Sequence, residues 1–459
     1  MKKHKIKKSS IARPWLATLL FLLFLPQLRA QEQEQAGTYR FSLEEAIQHA
    51  LQYNYSVINS GRDVEAANKR KWEAIASGLP QISANGSYQD NFTIQQSIIP
   101  AEFFGGAPGE FTAVAFSTKY SANASATLSQ LIFDGSYIVA VKAASTYLDF
   151  YKTSKQKTDI EIREQVINAY GNVLLTEESI AIFEKNKATL EKNRFEAEES
   201  YKNGLSEEED VEQIALTLAS VNSSLNNSKR LKIITMNMLK VILGIELEDN
   251  LQLTDGLDEL AVANLDVAIT GSEFNVNSNI DYRLGVNNQQ QKYLLLLQEK
   301  SKALPTLSTN LVFGYNAFND EFAFTKRDQE WLDYSYLTVN LNVPIFSSFG
   351  RNARTQQAKI ALEQAKTELT ELEQNLKLQY QEAKSQYEYS IEEYETAKNR
   401  LRLAERIENK QQIKFSEGLS TSFEFSEAQR QLYTAQQDYL QAMVNIINSK
   451  AALQKLTAQ

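Results

Sequence analysis

The chain has no cysteine and only two histidines, one of which, His4, lies in a basic leader. Beyond that leader a single His remains. There is therefore no zinc site of the usual kind and no Ser-His or Cys-His machinery, and no disulfide framework. Carboxylate chemistry is what is left for a catalyst, and nothing else in the sequence points to it. Long apolar runs are missing too. The longest, Trp15 to Leu25, is 11 residues, well short of the ~20 that a spanning helix needs. Proline and glycine are scarce, 7 and 17 in 459 residues, and unevenly placed. The 68 residues from Ser136 to Asn203 hold one Gly and no Pro, and the 67 from Arg351 to Glu417 hold neither. An unbroken helix of that length measures about 100 Å.

The first 30 residues read as a secretory signal peptide. Met1 to Lys8 carries five lysines, the apolar run follows, and Leu28-Arg29-Ala30 closes it with a small residue. No Cys follows the apolar run, so the expectation is a cleaved leader without a lipid anchor. The leader takes seven basic residues with it, leaving 41 basic against 57 acidic and a net charge of −16. Nucleic acid wants basic patches, so it is not an expected partner.

What is present is written twice. Leu79-Pro80, alternating residues and Leu131-Ile132-Phe133-Asp134-Gly135 lead into the first long helix, which ends at Gly204-Leu205-Ser206. Leu304-Pro305, alternating residues and Pro344-Ile345-Phe346-Ser347-Ser348-Phe349-Gly350 lead into the second, which ends at Gly418-Leu419-Ser420. Asn54 and Asn279 precede the two Leu-Pro pairs by the same 25 residues. Repeats at this scale decide the organisation. After a linker at 31–41, a first repeat (42–243) is expected to hold a helix of about 43–77, opened by the capping box Ser42-Leu43-Glu44-Glu45. Strands at about 81–95 and 116–133, a long helix at 136–203 and a return helix at 209–243 follow. An acidic connecting segment at 244–279 joins this to a second repeat (280–459). That repeat is expected to hold a helix, strands at about 306–318 and 334–346, a long helix at 351–417 and a return helix at 424–456.

The strand candidates alternate between two media. Leu337 to Ile345 switches apolar and polar at each step; Tyr120, Ala122, Ala124, Ala126 and Leu128 share one face, and Leu307, Leu311, Phe313 and Tyr315 another. Opposite faces carry Asn, Ser and Thr rather than Lys or Glu, as a wet lumen would. Aromatics gather near the loop ends (Phe103, Phe104, Phe111, Phe116, Tyr120; Phe318, Phe322, Phe324, Trp331, Tyr334, Tyr336), like an interfacial girdle. In a bilayer only helices and closed barrels satisfy the backbone. Alternation alone also fits a soluble half-buried sheet; if these strands lie in a membrane, four cannot close, since the smallest such barrels have about eight, and several chains must share one barrel. The long helices carry heptads: Leu362, Ala365, Leu369, Leu372 and Leu376, then Tyr380, Tyr387, Tyr394 and Leu401. That spacing specifies supercoiled packing and makes the tyrosines core residues. His49 is expected on a helix surface.

Leu43-Glu44-Glu45-Ala46-Ile47-Gln48-His49-Ala50-Leu51-Gln52-Tyr53-Asn54 resembles the N-terminal signature of the outer membrane efflux (TolC-like) family, with Leu, Glu-Ala, Ala-Leu and Asn at its spacing. The Leu-Pro pairs and the Pro-Ile-Phe plus Gly entry to the second long helix are similar to the family's. At its turns the family favours Gly, then Ser/Thr, an acid followed by an aliphatic, and Ala. The second half matches with Gly418, Thr421, Glu424 and Ala428, with Phe425 at the aliphatic site. The first keeps Gly204, Asp210 and Val211 but has Glu207 and Ile214. The resemblance covers nearly the whole chain beyond the leader. It implies an α+β membrane protein and a homotrimer, each chain giving four transmembrane β-strands to a 12-stranded β-barrel and its helices to a long antiparallel α-helical coiled-coil barrel.

The resemblance also implies a passive exit channel of a tripartite efflux pump or type I secretion system. Such a channel sits in the outer membrane of a Gram-negative bacterium, extends into the periplasm, and has neither enzymatic activity nor a cofactor. Its partners are outer-membrane lipid, a periplasmic membrane-fusion adaptor and an inner-membrane transporter of RND or ABC type. Gly204, Leu205, Ser206, Gly418, Leu419 and Ser420 are then the periplasmic-tip turns where the adaptor docks. Glu424, Glu427 and Asp210 are candidates for a pore constriction, the two glutamates giving six carboxylates under three-fold symmetry. A plain reading of Glu424 is a helix-start acid stabilised by the dipole. The alternative function is a periplasmic structural coiled coil or adaptor without a channel, which has no need of duplicated strand pairs with aromatic loop ends.

Overall fold

The computed structural model describes residues 37–266 and 273–457; the leader lies outside them. Two long helices, of 68 and 67 residues, organise everything else. Helix α3 runs Gly135–Lys202 and returns through α4, Glu208–Leu243; α7 runs Gly350–Ser416 and returns through α8, Ser422–Thr457. Each pair is an antiparallel hairpin closed by apolar side chains. Leu190, Ala197, Ile214, Leu218 and Val221 close the first, and Ala404, Leu432 and Ala435 the second. Two shorter helices, α2 (Tyr55–Ala76) and α6 (Ile280–Ser301), extend the bundle along α3 and α7 toward the strands.

The largest core lies midway along the long helices. Tyr170, Tyr387, Val444 and Ile446 are completely buried there with Leu239, Leu243 and Leu257. The heptad tyrosines are core residues, as their spacing predicts: Tyr380, Tyr387 and Tyr394 are 7%, 0% and 1% exposed. The connecting segment contributes β6 (Asn250–Leu253) and helix α5 (Leu257–Ala263), both packed on this core. The polar linker expected up to residue 41 is in part a strand. Strand β1, Thr38–Phe41, pairs in parallel with β6, and two carboxylates hold its ends: Gly37 N donates to Asp249 at 2.6 Å and Leu43 N to Asp255 at 2.6 Å. His49 is not a plain surface residue either. Its ring stacks on Tyr53 at 4.5 Å and meets Phe41 at 5.0 Å, and burial lowers its pKa.

The single helix expected over 43–77 is two, α1 (Leu43–Tyr53) and α2, broken at Asn54. Asn54 is extended (φ −61°, ψ 133°) and its side chain accepts from Ser56 N at 2.8 Å, while Nδ2 donates to Ile242 O at 2.7 Å. One buried side chain thus caps the start of α2 and satisfies an orphan carbonyl at the end of α4. Asn279 repeats this in the second half (φ −63°, ψ 134°), accepting from Asp281 N at 2.9 Å and donating to Leu456 O at 3.0 Å. The shared 25-residue spacing therefore marks a duplicated pivot, where a short helix turns away from the bundle and is tied to the return helix.

Four strands make one antiparallel sheet in the order β2-β5-β7-β8. They are β2 Gln81–Asp90, β5 Tyr120–Asp134, β7 Thr306–Asn319 and β8 Leu332–Asn342. The first and second strands differ from the expected 81–95 and 116–133. Between them stands an extra hairpin, β3 (Gln96–Pro100) and β4 (Phe111–Ala115), which takes Phe103, Phe104 and Phe111 away from the sheet. Strand β8 ends before Pro344, which has no N–H to give a ladder. The chain then enters α7 through Ser348 and Phe349 at φ 47° and 63°.

Candidate channel wall and periplasmic tip

Cross-strand register sorts the sheet into two faces. Ile82, Leu128, Leu311 and Leu337 stand opposite one another in a single row across all four strands. The same face carries Ala124 beside Tyr315 and Ala126 beside Phe313. Away from the loop end it is unpacked within the chain: Ile82, Leu337, Val339 and Leu341 are 60–80% exposed. The other face holds Ser83, Asn85, Ser121, Asn123, Ser125, Thr127, Asn310, Asn316 and Asn340, with Asn123 Nδ2 donating to Asn316 Oδ1 at 2.7 Å. A soluble protein does not leave so large an apolar sheet face bare; lipid outside and water inside account for both faces.

At the loop end of the apolar face, Phe322 and Phe324 fold over Tyr88 at 5.7 and 5.8 Å, and Trp331 follows at 6.3 Å from Phe324. Aromatics do gather at the loop end, as the sequence pattern predicts. Three residues grouped with these do not belong on this face. Tyr334 and Tyr336 pair with Gly314 and Val312, and Phe318 with Ser121, which puts them on the polar face. Tyr334 Oη accepts from Asn123 Nδ2 at 2.8 Å. Their position depends on parity across strands, and sequence clustering near a loop does not reveal parity.

Both outer strands, β2 and β8, pair on one side only. In lipid each unpaired N–H or C=O costs several kcal/mol, so an open sheet of four strands is not a spanning structure. Among the described residues no helix is long and apolar enough to cross a membrane.

The far ends of the two hairpins are near copies. Gly204 and Gly418 have φ 75° and 70°, the left-handed conformation that glycine takes without penalty. Leu205 N reaches back to Ser200 O at 2.9 Å and Leu419 N to Lys414 O at 2.7 Å, closing Schellman turns. Leu205 and Leu419 themselves are 81% and 77% exposed. Ser206 Oγ reaches Ala197 O at 3.5 Å, and Ser420 Oγ reaches Gln411 Oε1 at 3.1 Å. A cleft of about 1040 Å³ separates the two tips, bordered by Leu205, Asp210, Ile413 and Thr421.

The acids at the tips are engaged locally. Glu424 accepts from Ser420 Oγ at 2.8 Å and from Thr421 N at 3.2 Å, and these bonds hold its carboxyl below the ordinary range. Asp210 accepts from Glu207 N at 3.3 Å in the matching place on the first hairpin. Glu427 forms a two-pronged pair with Arg430 at 2.7 and 2.8 Å, which lowers its pKa to about 2. Phe425, at the position where the turn pattern favours an aliphatic, is completely buried and stacks on Phe415 at 5.2 Å. The larger ring fills the space between α7 and α8 beside the turn.

One constellation had a sequence signal that no motif carries. Ser179, Asn186 and Asn193 recur every seven residues on α3 and are buried. Asn186 Nδ2 donates to Gln436 Oε1 at 2.9 Å and Ser179 Oγ to Gln437 Oε1 at 3.4 Å. Closer to the tip, Asn193 Nδ2 and Ser426 Oγ are buried without a protein partner, and burial raises the pKa of Glu408 nearby. Between the midway core and the tips, the two hairpins meet through this polar seam rather than through apolar residues.

A family model described as outer membrane efflux protein matches residues 297–459. The chain has the fold of solved outer-membrane channels. It superposes on CusC, solved in work on folding and transmembrane channel formation, with TM-score 0.72 and 15% identity over 93% of this chain and 95% of that one. The CmeC outer membrane channel of Campylobacter jejuni gives 0.70 and 15% over 90% and 85%. The outer membrane protein VceC of Vibrio cholerae gives 0.69 and 15% over 90% and 95%. No curated protein matches in sequence. So low an identity establishes the fold alone.

Proposed function

We propose that three copies of this chain form a passive exit duct in the outer membrane, serving a tripartite efflux pump or a type I secretion system. The observation that carries this is the two-faced sheet with both edges open. Its lipid-type face is already complete, and only neighbouring copies supply the missing ladder bonds. Three chains give twelve strands, and their paired hairpins continue the wall into the periplasm. The leader is cleaved and leaves no lipid anchor. At the far end, the exposed Leu205 and Leu419 on their glycine turns form the contact for a membrane-fusion adaptor, and the energy comes from an inner-membrane transporter of RND or ABC type. The duct itself performs no covalent chemistry. A channel-less periplasmic coiled coil has no use for the bare apolar sheet face.

In this reading Asp210, Glu424 and Glu427 lie around the narrow periplasmic end and favour cations. The pairing with Arg430 makes Glu427 a weaker contributor than its charge implies. Because local bonds depress the Glu424 pKa, its helix-start contribution is complete above the ordinary carboxylate value of 4.5 and fades as pH falls through its lower folded value.

Purified protein in planar bilayers is expected to conduct, and to run as a trimer on calibrated sizing in detergent. A monomer without conductance overturns the proposal. In the same recordings Glu424→Gln with Glu427→Gln is expected to reduce cation preference severalfold. Unchanged selectivity removes those residues from the lumen.

A further inference from the structure

Within the membrane section, the polar face carries no charge at all. No Lys or Arg occurs in the four strands. Asp90 and Asp333 pair with Tyr120 and Tyr315, on the apolar side; Asp134 pairs with Thr306 on the polar side, but at the helix end of the sheet beyond the irregularity between Leu131 and Phe133, where it accepts from Ser136 N and caps α3. What the polar face offers instead is carboxamide, hydroxyl and phenol.

These groups converge three residues in from the loop end. Asn123 Nδ2 donates both to Asn316 Oδ1 at 2.7 Å and to Tyr334 Oη at 2.8 Å. This fixes the trio and leaves the Asn316 amide N–H pair, the Asn123 carbonyl and the Tyr334 O–H without further partners among the described residues. Those are two kinds of donor and an acceptor held side by side. Gly314 lies directly opposite Tyr334, and a Cβ there would collide with the phenol ring, so the missing side chain is what seats that ring. Tyr336 lies parallel to Tyr334 at 6.2 Å and is 53% exposed.

We propose that this rung, Asn123, Asn316, Tyr334 and Tyr336, is a weak subsite for uncharged polyhydroxylated solutes, repeated three times around the barrel mouth; it rests on the duct reading above. An aromatic plane with an apolar face and a polar tip suits the C–H face of a sugar ring. The fixed amide and hydroxyl groups suit its hydroxyl rim, and the absence of charge removes any preference for ionic cargo. Cargo with a neutral glycosidic or polyol part is thereby slowed at the exit, while simple ions pass.

The site lies at the outer end, so a probe added from that side reaches it without crossing the periplasmic tip. With single trimers in planar bilayers in KCl, maltohexaose added to the extracellular side is expected to produce concentration-dependent current interruptions. Tyr334→Ala with Tyr336→Ala is expected to weaken them about tenfold, and Tyr336→Ser alone, at a side chain with no hydrogen bond to lose, severalfold. Tyr315→Phe, on the lipid side, leaves them unchanged. No interruptions at tens of millimolar maltohexaose, or interruptions unaltered in Tyr336→Ser, overturn the subsite. Absence of KCl conductance is a different failure, and overturns the duct.

Discussion

Leu337→Lys is expected to abolish trimer insertion, while Asn340→Lys three residues along the same strand leaves it intact. Leu337 sits in the cross-strand row with Leu311, Leu128 and Ile82 and is 65% exposed, midway along β8, Leu332–Asn342. A lysine on the lipid face near the bilayer midplane costs ~2–4 kcal/mol, and symmetry charges it three times, about 6–12 kcal/mol per trimer. That is comparable to the whole stability of a domain, ~5–15 kcal/mol. Asn340 lies opposite Ser308 on the polar face and is exposed to water in the proposed lumen. A lysine there adds charge to the pore without meeting lipid. Outer-membrane yield and heat-resistant trimer on gels measure the contrast. Equal loss in both variants would mean the faces are not lipid and water.

The second large effect concerns folding. Gly244→Ala is expected to destabilise the chain by about 2–5 kcal/mol, from ~1–2 for a left-handed conformation and ~1–3 for overpacking. Gly244 ends α4 at φ 74°, and a Cβ placed there lands on the backbone oxygen of Tyr53. That backbone cannot yield, because the next residue is the Asn54 pivot bonded to Ile242 O. Gly204→Ala is the control: its φ is as positive, but a Cβ there meets nothing within 4 Å. It should lose only the conformational part, ~1–2 kcal/mol. Denaturant titration of the refolded protein separates the two. Similar losses at both sites would remove the pivot contact from the account.

The long helices were plain in the sequence because nothing in them breaks a helix and their heptads are continuous. The strands were plain where alternation was strict, as in β8. The break at Asn54 was not, although its cause is local. An Asn side chain competes with the helix for Ser56 N only because Ile242 O waits for its other end, and that carbonyl is 188 residues away. Strand β1 was missed for the same reason, since four residues acquire a ladder only from Asn250–Leu253. Tyr334 and Tyr336 were grouped with the belt because they flank an aromatic loop. Register, set by the whole of β7, moves them to the other face. At the tips the turn glycines are legible from type and spacing alone, whereas the charge at that end depends on the Glu427–Arg430 pair, which a count of acids does not show.

The central claim is that one sheet face meets lipid and the other water, and the cysteine-free sequence makes it directly measurable. Single cysteines are placed at Leu337, Thr338, Val339, Asn340 and Leu341, and the trimers are reconstituted in liposomes and treated with a membrane-impermeant charged thiol reagent. Labelling at 338 and 340, with protection at 337, 339 and 341, is the expected pattern. Uniform labelling, or the opposite parity, would contradict it.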